Sequence, residues 1–79
     1  MFNAKYITSN KGVSAKTGRE WYQVELIAET VEGGCKVVKA FCTANAYNNC
    51  VNIPAMSDIK VACGVTSNGY LTVNAIKEV

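Results

Sequence analysis

The chain has 79 residues, a formal net charge of +2, 49% apolar residues and no histidine. That composition excludes disorder, and a chain this short has room for one small core, so residues 1–79 read as a single domain. Without histidine there is no Ser–His or Cys–His nucleophilic pair, and no GxxxxGKS phosphate loop is present, so no enzymatic activity is expected.

The start of the chain, Met1 to Ile7, lacks the apolar stretch of a signal peptide, and no apolar run approaches the ~20 residues of a membrane span. A soluble cytoplasmic protein without a membrane partner is expected. Cys35, Cys42, Cys50 and Cys63 are spaced by 7, 8 and 13 positions. That is not a zinc spacing, and nothing marks a secretory context for disulfides, so they read as reduced, small apolar side chains. No metal or cofactor is expected. A small domain without such staples commonly gains stability from another subunit, so a homodimer or higher homo-oligomer is expected.

Glycine, asparagine and serine divide the chain into short alternating segments. The first strand is predicted over about 2–8, bent at Lys11-Gly12, with residues 13–15 continuing into a basic hairpin closed at Thr17-Gly18. The second covers about 19–30 and sets Tyr22, Val24, Leu26 and Ala28 on one apolar face, with Trp21, Gln23, Glu25, Ile27 and Glu29 on the other. A turn at Glu32-Gly33-Gly34 leads to a third strand over about 35–42. A three-residue loop there pairs Val31 with Cys35 and Ala28 with Val38. A two-residue Gly33-Gly34 turn would instead bury Lys39 opposite Ala28, which costs more. Thr43 can cap one or two helical turns over 43–50, followed by a loop through Pro54 to Ser57. The last two strands, about 58–66 and 70–78, flank Ser67-Asn68-Gly69. With Gly69 left-handed, Val65 pairs with Leu71, Cys63 with Val73 and Val61 with Ala75.

The order β-β-β-α-β-β, all-β with one short helix between strands three and four, is that of a five-stranded OB-fold barrel; an SH3-like barrel or a plain five-stranded sheet also fits. In an OB barrel the ligand surface is built by strands two and three with the first and last hairpin loops. Lys11, Lys16 and Arg19 lie at the first hairpin, with no acid before Glu20. Lys16 and Arg19 are the leading candidates for phosphate contacts, with Lys11 and Lys39 secondary. Trp21, Phe41 and Tyr70 are candidates for base stacking, since an aromatic ring accepts any base on its face. Trp21 on an outer face fits equally a ring folded over the barrel end or a subunit contact. Tyr6 and Tyr22 read as core or rim. Glu25 and Glu29 share the outer face of strand two. They pair diagonally with Lys39, and they repel phosphate, which confines a nucleic-acid path to the Trp21 end.

Gly12-Val13-Ser14-Ala15-Lys16-Thr17-Gly18-Arg19-Glu20-Trp21-Tyr22 resembles the Gly-Val-Ser-basic-x-Gly-Lys-Pro-Tyr DNA-binding wing of the helix-destabilising, single-stranded-DNA-binding proteins of filamentous phages, the gene V protein family. Ile53-Pro54, Ile59-Lys60-Val61 and Asn68-Gly69-Tyr70-Leu71-Thr72-Val73 resemble that family's late proline and closing hairpin. The similarity covers about half of the chain. It implies an OB-like barrel, a homodimer, and a role coating single-stranded DNA with low sequence specificity in phage or plasmid replication, in the host cytoplasm if phage-encoded. It also implies that Lys16 and Arg19 contact phosphate and that Tyr22, or Trp21 beside it, is the wing aromatic. The wing here carries one extra residue and no proline. Asn68 stands where the family often has an aromatic, and Ala44–Cys50 looks more like the helix of ordinary OB folds. Two other readings remain: a single-stranded-RNA binder, and an OB- or SH3-like interaction module with a protein-binding patch of Trp21, Ile27 and Phe41.

Overall fold

In the computed structural model, which describes residues 2–79, the elements follow the expected order. They are β1 (Phe2–Val13), β2 (Glu20–Glu29), β3 (Cys35–Phe41), α1 (Ala44–Cys50), β4 (Asp58–Val65) and β5 (Leu71–Glu78). The strands form one antiparallel sheet in the order β3-β2-β1-β4-β5. No ladder closes it. A single parallel bridge, Cys42 to Val73, joins the end of β3 to β5. Beside it the Thr43 N–H donates to Val73 O at 2.9 Å, and Thr72 Oγ1 donates to Phe41 O at 3.2 Å.

The alternation of β2 holds as expected. Val24 and Leu26 are fully buried, and they pack with Ala4, Tyr6, Ile59, Val61, Val73 and Ile76. Helix α1 adds Ala46 and Cys50 to this core; Thr43 is its N-cap, accepting from Ala46 N at 3.2 Å. Burial pushes the thiols up, Cys42 above its usual range and Cys50 to about 11, which keeps both neutral. Cys35 and Cys63 are exposed, so only two of the four cysteines are core side chains.

Several expected details differ. β1 runs unbroken through Lys11-Gly12, and its irregularity lies between Tyr6 and Thr8, where Ile7 has no partner. This bulge returns β1 to phase with β2, setting Ser9 against Val24 and Lys11 against Tyr22. The β2–β3 loop has the expected length but sits one residue earlier, so Leu26 pairs with Val38 and Ala28 with Lys36. Thr30 fixes it: its carbonyl accepts from Gly33 N at 3.0 Å and its Oγ1 from Gly34 N at 3.0 Å, with Gly33 left-handed at φ 92°. The loop can sit earlier than burial cost would suggest because β3 lies beyond the packed layer. Residues 31–39 are all exposed, so Lys36 opposite Ala28 costs little.

The last hairpin pairs Val65 with Leu71 and Cys63 with Val73 as expected, with Gly69 left-handed at φ 88°. A bulge then shifts the ladder, so Val61 meets Ile76 rather than Ala75, and Ile76 is the buried residue. Val65 and Leu71 stand beyond the core, 68% and 76% exposed.

Candidate nucleic-acid interface

The outer faces of β1, β2 and β3 form rungs set by their pairing. Gly12 lies beside Trp21; Asn10, Gln23 and Phe41 form the next rung; Thr8, Glu25 and Lys39 the one after. Trp21 and Phe41 are thus diagonal neighbours on one face, within the range where large rings interact. The Trp21 indole rests on the backbone of Gly12. A Cβ there would fall 2.7 Å from Cε2 and 3.0 Å from Nε1, so only glycine leaves room for this ring.

Beyond Phe41 the sheet meets the last hairpin. Phe41, Tyr70 and Leu71 line a groove of ≈ 500 Å³, with Thr66, Asn68 and Thr72 supplying polar groups. Phe41 and Tyr70 are 58% and 71% exposed, so their ring surfaces are open rather than structural. The hairpin tip holding Tyr70 is braced by Thr66, whose carbonyl accepts from Gly69 N at 2.9 Å and whose Oγ1 accepts from Tyr70 N at 3.1 Å. Another depression, ≈ 390 Å³ between Phe2 and Val31, carries the carboxylate of Glu29 and no cation, which disfavours a phosphate ligand.

Lys16 and Arg19 project from the first hairpin loop. Gly18, left-handed at φ 69°, donates to Ser14 O at 2.8 Å, and Ser14 N donates to Arg19 O at 2.8 Å. The two ion pairs among the described residues are Lys5–Asp58 at 2.9 Å and Lys39–Glu25 at 3.3 Å, so Lys16 and Arg19 keep their charge uncompensated. Lys39 is on the Trp21–Phe41 face, but Glu25 offsets its charge.

Lys11 and Tyr22 are not brought to this face. Tyr22 turns inward and lies 5.2 Å from the Tyr47 ring centroid, and Lys11 Nζ stands 5.9 Å over Tyr47. The Tyr22 hydroxyl donates to Glu20, which is the main cause holding its pKa up; burial adds to it. Tyr6 is buried, its hydroxyl 2.8 Å from Ser9 Oγ, and burial raises its pKa. The sequence assigned no ligand contact to Leu71, which it paired with Val65, or to Tyr47. The signal for Leu71 was its position next to the hairpin tip, where a strand pair outruns its core. Among the described residues no three metal-ligating side chains cluster, and no helix is long and apolar enough to cross a membrane. Comparison with family models, with curated proteins and with solved structures returned no match.

Proposed function

We propose that this protein binds single-stranded DNA with little sequence preference, using phosphate contacts and base stacking on an OB-type surface. The observation that carries the reading is the row of exposed rings, Trp21, Phe41 and Tyr70, running from the uncompensated cationic hairpin tip into the groove of the last hairpin. Bases stack on rings of any neighbour sequence, and Lys16 and Arg19 neutralise phosphate. A curled barrel is supported by the Cys42–Val73 bridge and the flanking Thr43 and Thr72 hydrogen bonds, which draw β3 and β5 together beside this surface. The resemblance of residues 12–22 to the phage DNA-binding wing supports the same ligand. Binding has no chemical step; it shifts the duplex–strand equilibrium by mass action. Glu25 and Glu29 keep the strand on the Trp21 side.

The test is the salt dependence of oligo-dT binding by the wild type and by Lys16→Ala with Arg19→Ala. Each lost phosphate contact removes about 0.7 from the slope of log K against log salt, so the double variant should lose about 1.4. An unaltered slope places the phosphate contacts elsewhere.

A further inference from the structure

The outer strand β3 is exposed from Cys35 to Lys39 and ends the sheet in an open edge. Val37 and Val38 are exposed on its opposite faces. Both ends of its ladder fix the hydrogen-bonded rungs: Thr30 N donates to Gly34 O at 2.7 Å, and Cys42 N to Tyr22 O at 2.9 Å. Antiparallel rungs alternate, so the backbone groups of Lys36, Val38 and Ala40 point to β2. Those of Cys35, Val37, Lys39 and Phe41 point out of the sheet. Phe41 O is taken by Thr72 Oγ1 at 3.2 Å, which confirms the direction. Cys35, Val37 and Lys39 therefore present backbone donors and acceptors with no strand beside them among the described residues.

We propose that this edge is the seam of a two-fold dimer, in which β3 pairs antiparallel with β3 of a second copy, centred on Val37. A two-fold axis normal to the sheet keeps every residue on its own face, so only a few registers exist. Centring on Lys36 or Lys39 sets like charges directly opposite. Centring on Val38 needs the Phe41 carbonyl that Thr72 occupies. Centring on Val37 uses only free groups: Val37 meets Val37, and Cys35 meets Lys39 of the second copy, in hydrogen-bonded rungs. Between them Lys36 lays its methylene stem against Val38 of the second copy and keeps its ammonium in water. The Lys39 charge is already met by Glu25 at 3.3 Å. Edge lysines ordinarily discourage pairing; here they eliminate the wrong registers. β3 is the edge strand and pairs with β2 alone, and the seam gives it a partner on its open side. The seam is short, so the dimer is weak. The proposal stands independently of the nucleic-acid reading.

Sedimentation equilibrium of the full chain without nucleic acid tests it. The expected result is a monomer–dimer equilibrium with a midpoint on the order of 1–100 μM, typical of a small interface. Val37→Asp sets two carboxylates opposite and should raise the midpoint at least ~10-fold, with circular dichroism unchanged because Val37 is exposed. In a Cys63→Ser background, Lys39→Cys should give an oxidised covalent dimer through Cys35 of the second copy. Hydrogen-bonded rungs hold Cα atoms ~5.5 Å apart, within disulfide reach, whereas positions 35 and 39 of one strand are too far apart. Adding Cys35→Ser should abolish the cross-link. A chain monomeric to about 1 mM, a dimer indifferent to Val37→Asp, or no cross-link between Cys35 and position 39 overturns the proposal.

Discussion

Replacing Gly12 by alanine should lift the only tryptophan off the sheet. Gly12 is not among the positive-φ glycines, so its backbone accepts alanine, and the whole effect is steric. The new Cβ would sit 2.7 Å from Trp21 Cε2 and 3.0 Å from Nε1. Ordinary contacts start near ~3.5 Å, so the rigid indole must shift by about 1 Å or swing into solvent. Losing one ring face against the backbone exposes on the order of 50–100 Å², about 1.3–2.5 kcal/mol at ~25 cal/mol per Å². Lower entropy of the unfolded chain returns about 0.5–1 kcal/mol. Net destabilisation should therefore stay near 1 kcal/mol while the ring changes environment completely. Trp21 emission should move to the red, and oligo-dT affinity should fall about 5- to 30-fold, the equivalent of 1–2 kcal/mol of stacking. Unshifted emission would refute the packing of Trp21 on Gly12. A red shift with unchanged affinity would refute its role as a platform.

Phe41→Ala and Tyr70→Ala should each weaken oligonucleotide binding by about 1–3 kcal/mol in anisotropy titrations, with the unfolding midpoint unmoved because both rings are largely exposed; unaltered affinity in either would remove that ring from the site. Stability should also fall in alkali. The Cys50 pKa is raised from 9.0 to about 11 by burial, so its contribution is intact below the unfolded pKa and is lost as pH rises from about 9 through about 11. The loss is on the order of 2–3 kcal/mol. Cys42 and Tyr6 shift in the same direction and add to it. Urea unfolding at about pH 8 and about pH 10.5 should show a shallower decline for Cys50→Ala than for the wild type; equal declines would mean that Cys50 is not the buried group that titrates.

The strands and helix were legible because their signals are local. The alternation of Val24 and Leu26, the Thr43 cap and the Gly69 turn depend on residues close in sequence, and each stands where expected. What failed depended on knowing where the core ends. Val65 was paired with Leu71 and Val38 with Ala28 on apolar phase, yet β3 and the last hairpin extend past the packed layer. The β2–β3 register failed for the same cause: a lysine opposite Ala28 is costly only if something covers it. The bulges beside Ile7 and in β5 carry no sequence mark, since any residue can be the unmatched one. For the site, alternation alone separates Trp21 from Tyr22, because adjacent strand residues face opposite ways. The apolar phase of Val24, Leu26 and Ala28 marked the Tyr22 face as the covered one. The structure adds Tyr47, a helix residue that takes Tyr22 as its packing partner and leaves Trp21 outside. The meeting of Phe41 with Tyr70 was out of reach of the sequence, because it depends on the long-range Cys42–Val73 bridge.

The most direct measurement is a titration of the protein with oligo-dT, followed by Trp21 emission and by gel retardation at low and high salt. The account predicts a saturable change in emission together with retardation at low salt, both declining steeply as salt rises. Unchanged emission with no retardation at any salt concentration would contradict it.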